Sequence, residues 1–317
     1  MAIKLGVVMD FIGSINYKKD TTLAMLWEAE KRGWEIFYFE QKDLYLQEGV
    51  AHGKSRNLKV FHDENKWYEF GAEKNIPLAD LDVILMRKDP PVNYEYIYVT
   101  YILEQAEREG VFVLNKPQSL RDCNEKIFAT VFPDCCPPTL VTCSISLLKA
   151  FHAKHQDIVC KPLNAMGGSS IFHLAHNDTN ASVVFEVLTQ LETTFMMAQK
   201  FLPEITAGDK RILMINGEPL DFVLARVPGQ GEWRGNLAAG AKGIAQPLSD
   251  RDRWTCQQIG GKLREKGLYF VGVDVIGDFV TEINVTSPTC VRELDELCNL
   301  NICAMLFDFV EQALQKN

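Results

Sequence analysis

Short apolar runs alternate with amphipathic stretches from the first residues to Leu114, and this alternation restricts the fold more than any other feature. Residues 3–8, apolar but for Lys4, read as a buried-type strand. Asp20 stands at an N-cap position, Leu23, Leu26 and Trp27 share one face of the helix it opens, and Gly33 stops that helix. Strands follow at 35–39 and 83–86. A helix over 94–109 ends at Gly110, and 111–114 is the next strand. Strand and helix in turn predict α/β architecture with an open, mostly parallel, Rossmann-like sheet. Residues 45–70, polar with scattered aromatics, interrupt the pattern as a hairpin plus loop.

A second unit begins near Lys126. Ser144 is placed to cap a helix carrying Leu147, Leu148 and Phe151, followed by a strand ending at Lys161, a helix over 181–191 and a strand over 196–201. The last third holds strands near 211–215 and 220–226, a glycine-rich connection over 227–243 and a helix over 249–266. It closes with a helix whose Ile302, Met305, Leu306, Phe309, Val310 and Ala313 make an apolar stripe.

Between those last two helices lies GVDVIGDFVTEINVTSP (272–288), two apolar alternating runs around Gly277-Asp278. Strand side chains repeat with period two, so Glu282 and Asn284 share a face. With Asp274 across the hairpin, they offer oxygen ligands to a hard cation such as Mg2+, which takes one or two carboxylates and leaves positions for phosphate oxygens. The plainer alternative is a surface hairpin whose acids face water. The register decides between them: a two-residue Gly277-Asp278 turn sends Asp274 to the wrong side of the sheet unless a bulge restores it.

Upstream, a strand ending in Lys161 leads into LNAMGGSS (163–170) and a further strand at 171–174. Gly167 and Gly168 allow positive φ and close backbone approach, and Ser169 and Ser170 add hydroxyl donors, so the loop suits phosphate oxygens. It is not a Walker A loop, which needs G-x-x-x-x-G-K-[ST] opening a helix. A tight hairpin turn beside a solvated lysine is the competing reading.

These residues, with MDFIGSINYKKD (9–20), LADLDVILMRKDPP (78–91), NKPQSLRDCNEK (115–126), GDKRILMINGEP (208–219) and RGNLAAG (234–240), resemble the ATP-grasp carboxylate–amine ligases, and within them the bacterial-type glutathione synthetases. The likeness runs nearly end to end. It departs at Asn164-Ala165, where the family has Asp-Gly, and at Gly240-Ala241-Lys242-Gly243, where it has Gly-Gly-Arg-Gly. The resemblance implies an N-terminal pre-ATP-grasp substrate-binding domain over 1–122 and an ATP-grasp domain over 123–317. The latter divides into a lid to about 201 and a catalytic part from about 202.

It further implies ATP-driven joining of γ-glutamylcysteine and glycine through an acyl phosphate, giving glutathione, ADP and phosphate. By resemblance, Lys126 and Lys161 contact the nucleotide phosphates with Gly167, Gly168 and Ser169, while Gln199, Phe201 and Leu202 hold adenine and Asp209 the ribose. Asp274, Glu282 and Asn284 hold two Mg2+ (or Mn2+) ions. Arg211, Arg226 and Arg234 are the catalytic cations, and Arg226, Arg234, Asn284, Ser287 and Thr289 bind the other substrates. A homo-oligomer, often a tetramer, is also implied. Two further readings stay open: another ATP-grasp ligase with a different carboxylate and amine, and an ATP-binding module without turnover.

Composition narrows the partners. A net charge of −9 argues against nucleic acid or an anionic membrane surface. Nine cysteines without a C-x-x-C fit buried thiols in a reducing compartment. Residues 1–9 make a first strand rather than a secretory signal, and the chain is expected in the cytoplasm. His152/His155 and His173/His176, spaced i, i+3, lack partner ligands and are expected at the surface. The 227–243 connection is expected to be a mobile cover over the site.

Overall fold

The structure, a computed structural model, describes residues 2–235, 237 and 240–315. In chain order, the N-terminal third holds β1 (Lys4–Val8), α1 (Thr21–Lys31), β2 (Glu35–Phe39), β3 (Leu44–Gln47), β4 (Val50–Val60) and β5 (Tyr68–Pro77). β6 (Val83–Met86), α2 (Tyr94–Arg108), β7 (Phe112–Leu114) and α3 (Pro117–Asp122) follow. The apolar runs form the parallel core β2-β1-β6-β7, as their continuity requires. The aromatic stretch is a long antiparallel hairpin, β4 with β5, that continues the same sheet through β2 to seven strands. Asp20 caps α1 by accepting the Leu23 N–H at 2.6 Å, and Gly33 takes φ +70° beyond its end. Leu23 and Leu26 are fully buried, each contributing roughly 1.5–3 kcal/mol.

The middle of the chain builds β8 (Thr139–Thr142), α4 (Ile145–His155), β9 (Ile158–Pro162), β10 (Phe172–Leu174), α5 (Ala181–Thr189) and β11 (Met196–Lys200). Its four-stranded sheet runs β10-β9-β11-β8 and has its own small core around Leu148, Ile158, Phe185 and Met196. Ser144 precedes α4 as expected but caps nothing: its hydroxyl pairs with that of Ser146, and Glu192 accepts the Ile145 N–H instead.

The last part comprises β12 (Asp209–Ile215), β13 (Glu218–Pro219), β14 (Phe222–Val227), β15 (Lys242–Pro247), α6 (Asp250–Glu265), β16 (Phe270–Ile276), β17 (Phe279–Asn284), α7 (Val291–Cys298) and α8 (Ile302–Leu314). Its sheet runs β15-β14-β12-β16-β17. The end of the expected cover is therefore a strand, β15. Asn236, Ala238 and Ala239 of that segment lie outside the described residues. On α8 the buried face is Ile302, Cys303, Leu306, Phe307 and Val310, while Met305 is exposed. Among the described residues, no single helix is long and apolar enough to cross a membrane.

One side chain joins the first sheet to the last. Asn115, just past β7, donates Nδ2 to the carbonyls of Phe270 (2.8 Å) and Val285 (2.7 Å), and its Oδ1 accepts the N–H groups of Tyr269 (2.8 Å) and Phe270 (2.9 Å). The β16–β17 hairpin is thus anchored to the N-terminal sheet at its far end.

Adjacent glycines on α6 face different surroundings. A Cβ on Gly260 would lie 2.2 Å from the Gly217 carbonyl oxygen, whereas one on Gly261 would meet open space. Gly260→Ala is expected to destabilise the protein by about 1–3 kcal/mol despite better helix propensity, and Gly261→Ala to stabilise it by roughly 0.5–1 kcal/mol. Urea unfolding of the two variants tests this; equal shifts would mean the α6 contact simply yields.

Candidate active site

The hairpin register is the first thing the site depends on. The turn is the tight one, with Ile276 opposite Phe279 and Gly277 at φ +58°. A bulge follows: Val275 pairs with Val280, but Asp274 pairs with Glu282 and Gly272 with Asn284, leaving Thr281 extra. The extra residue restores the parity that the turn removes, so Asp274, Glu282 and Asn284 share a face. Arg211 on β12 stands opposite Asp274 on the other side, extending the row across three strands. Gly272 makes room for it, since a Cβ there would fall 2.8 Å from the Arg211 Cδ.

Buried charges are paired along this row. Arg211 grips Asp274 with two bonds, Nε to Oδ1 at 2.5 Å and Nη2 to Oδ2 at 3.0 Å. Arg226 Nη2 lies 2.6 Å from Asp209 Oδ2 and 3.1 Å from Asp274 Oδ2. Burial raises both carboxyls. For Asp274 the two guanidiniums outweigh it and hold the group down at about 2, whereas Asp209, with Arg226 alone at close range, is pushed up to about 6. The Asp209 Oδ1 is buried without a hydrogen-bond partner among the described residues.

Glu282 is the meeting point of the lysines. Its Oε1 lies 3.7 Å from Lys161 Nζ, at the end of β9, and 4.0 Å from Lys126 Nζ. Lys126 is buried and donates to Glu125 (2.7 Å) and to the Ala165 carbonyl (2.8 Å). Burial disfavours its charge, but Glu282 and Glu125 more than offset this and raise its pKa. The contact to the 163–170 loop uses a main-chain oxygen, so the alanine at 165 costs no interaction there. Gly167 and Gly168 take φ +64° and +80°, the conformation for which glycine was invoked.

Two adjoining cavities gather the sequence-derived candidates. The first is lined by Lys126, Lys161, Gly167, Gly168, Ser169, Gln199, Phe201, Leu202, Asp209, Arg234, Asp274 and Glu282, among others. Lys126, Arg211, Arg226, Asp274, Glu282, Asn284, Ser287 and Thr289 line the second. Arg234 reaches the phosphate loop by donating Nη1 to the Gly168 carbonyl at 3.0 Å, but its other nitrogens pair with Glu232. His173, expected at the surface, is instead stacked on Phe201 with centroids 3.9 Å apart.

Several structural partners carry no distinctive sequence signal of their own. Asn124 accepts the N–H groups of Lys126 and Ile127 and donates to the Leu163 carbonyl at 3.0 Å, fixing the strap that carries Lys126. The Glu125 carbonyl accepts the Ile283 N–H at 2.8 Å, docking that strap on β17. Both residues sit inside the 115–126 motif, which was the available signal.

The oxygen donors fit a hard divalent cation. The Asn284 Nδ2 donates to Asp274 Oδ2 at 3.1 Å, which turns the amide so that its oxygen remains for another partner. Among the described residues no three His, Cys, Asp or Glu side chains form a metal cage.

Comparison with known proteins bears on the same residues. Residues 3–121 match the family model for the prokaryotic glutathione synthetase N-terminal domain, and residues 125–299 that for its ATP-grasp domain. The chain is 58% identical over 315 residues to a glutathione synthetase of Pseudomonas putida, covering 99% of both chains. To one of Escherichia coli it is 55% identical over 314 residues, again covering 99% of each. Among solved structures, the ATP-grasp ligase PsnB complexed with a minimal precursor superposes with a TM-score of 0.64 at 16% identity, covering 99% of this chain and 100% of that one. D-cycloserine synthetase DcsG gives 0.64 at 12%, covering 97% and 99%. At such identities the structural likeness speaks for the ATP-grasp fold.

Proposed function

The chain belongs to the prokaryotic glutathione synthetases, and from that premise we propose how its own residues divide the work. The reaction is ATP-dependent synthesis of glutathione by a ligase that forms a C–N bond, with ATP and glycine among its small-molecule substrates. The observation that carries the residue-level reading is Glu282, held between Lys126 and Lys161 and directly opposite Asp274.

In this reading the first cavity holds the nucleotide. Gln199, Phe201 and Leu202 take adenine, the orphan Asp209 oxygen accepts from a ribose hydroxyl, and the 163–170 loop wraps the phosphates through Gly167, Gly168 and Ser169. Lys126 and Lys161 neutralise phosphate charge. Asp274, Glu282 and Asn284 hold two Mg2+ or Mn2+ ions, which when bound further neutralise the phosphate oxygens. The cysteinyl carboxylate of γ-glutamylcysteine lies in the second cavity against Arg226, Asn284, Ser287 and Thr289. It attacks the γ-phosphorus, ADP leaves, and an acyl phosphate results. A carboxylate has no adequate leaving group, and phosphorylation supplies one. The glycine amine then adds to the acyl carbon and phosphate departs. Arg211 is tied to Asp274, so it sets that carboxylate's position, while Arg226 and Arg234 face the charge that develops.

Residues 1–122 serve as the substrate-binding domain, about 123–201 as the lid and about 202–317 as the catalytic part. The cysteines are free and mostly buried, which suits a cytoplasmic enzyme. A homo-oligomer, by resemblance a tetramer, completes the proposal. The test of substrate identity is ADP formation with γ-glutamylcysteine and glycine, against other carboxylate and amine pairs. Turnover that prefers another pair would overturn the assignment of the second cavity.

Arg234→Ala is expected to lower kcat by roughly 10²-fold while changing the Kd for ATP less than about threefold, because a residue acting on developing charge contributes little to ground-state binding. Steady-state kinetics with a separate ATP titration measure the two. An equal loss in both would move Arg234 to simple nucleotide binding.

A further inference from the structure

Arg234 is held by contacts on either side of it in the chain. After it, Gly235 lies so close to the base of the site that a Cβ would fall 2.5 Å from the Asp209 Cβ and 3.0 Å from the Arg226 carbonyl oxygen. Before it, the Trp233 ring stands edge-on to Phe201, with centroids 6.4 Å apart at 68°, and tilts over His173 at 5.9 Å. Phe201 and His173 are themselves nearly parallel, 20° apart. His173 comes from β10 and Phe201 directly follows β11, so the indole joins the Arg234 segment to two points of the small sheet. The His173 Nε2 is buried without a hydrogen-bond partner among the described residues, and the ring's aromatic contacts are with Phe201 and Trp233. Edge-on and offset aromatic pairs are directional contacts, so they fix orientation as well as proximity.

We propose that Trp233 is a positioning residue for phosphoryl transfer: docking of its ring on the Phe201–His173 platform sets the place of Arg234 beside the phosphate loop, where Nη1 meets the Gly168 carbonyl. The inference rests on the role given to Arg234 above. Trp233 also lines the nucleotide cavity, and a direct nucleotide contact would give a different kinetic signature. A residue that acts only through its neighbour has no effect once the neighbour is gone, so the two substitutions are not additive.

Trp233→Ala, Trp233→Phe, Arg234→Ala and the Ala double variant of the full chain are compared with the parent by steady-state kinetics, with thermal midpoints to verify folding. Misplacing a charged group by an ångström or so is enough to cost rate, so Trp233→Ala is expected to lower kcat roughly tenfold with the KM for ATP within about twofold. Trp233→Phe should recover activity to within about threefold of the parent, since a smaller ring still docks edge-on. In the Arg234→Ala background, Trp233→Ala should change kcat by less than about twofold. A full further loss in that background, a rise in KM for ATP with kcat intact, or parental activity of Trp233→Ala would each overturn the proposal. Parental kcat in Arg234→Ala alone would overturn the Arg234 reading itself, and is seen separately because that variant retains Trp233.

Discussion

Replacing Lys161 with alanine is expected to lower kcat by roughly 10²-fold or more, because in the role proposed for it the residue brings a buried charge to oxygens whose negative charge grows in the transition state. The side chain, one residue before the end of β9, is almost fully covered, and its Nζ lies 3.7 Å from Glu282 on β17. Its loss leaves Glu282 with Lys126 alone, at 4.0 Å, so the phosphates would meet a carboxylate with half its compensation gone. Lys161→Arg should not restore the rate: a planar guanidinium delivers its charge in a different direction and needs more room than an ammonium. Single-turnover ADP formation separates this from product release, and an unchanged thermal midpoint shows that the variant is folded. Activity within about twofold of the parent would remove Lys161 from the chemistry.

The parallel core was legible because a strand buried on both faces must be apolar where it is covered, and 5–8, 36–39 and 83–86 are, with Lys4 and Glu35 left exposed at the strand starts. Asp20 and Gly33 marked the ends of α1 for equally local reasons. The row of Asp274, Glu282 and Asn284 was legible only as a condition. Alternation puts Glu282 and Asn284 on one face, but which face Asp274 occupies depends on whether one residue between the strands goes unpaired, and nothing in the type of Thr281 announces that it does. Contacts between distant segments were hidden altogether. Asn115 is a polar residue at a strand end, a common sight, and its four bonds are made to residues more than 150 positions away. His173 was misplaced because spacing alone says nothing of Phe201, which comes beside it only when β9, β10 and β11 assemble.

Asn115→Ala is expected to destabilise the protein by about 3 kcal/mol or more, the largest stability effect anticipated for a residue outside the cavities. Removal of the amide strands two N–H groups and two carbonyls in the interior, and each unsatisfied buried group costs about 1–3 kcal/mol when water does not reach it. Because those groups belong to β16 and to the residues flanking β16 and β17, the hairpin bearing Asp274 and Glu282 loosens together with the junction between sheets. Asn115→Asp keeps acceptors for the Tyr269 and Phe270 N–H groups but loses both donors and buries a charge, so it should not rescue stability. Urea unfolding at neutral pH provides the comparison. A midpoint for Asn115→Ala indistinguishable from the parent would mean that the four bonds are replaced by water and that the sheets are joined by packing alone.

The central claim, phosphorylation of a substrate carboxylate in the cleft between Lys161 and the β16–β17 hairpin, is tested most directly by following oxygen. γ-Glutamylcysteine labelled with 18O in its cysteinyl carboxylate is turned over with ATP and glycine, and the released phosphate is analysed by mass spectrometry. Attack of that carboxylate on the γ-phosphorus, followed by loss of phosphate from the acyl carbon, transfers one labelled oxygen to phosphate in every turnover and leaves the other in the new amide. Unlabelled phosphate alongside labelled peptide product would contradict the account.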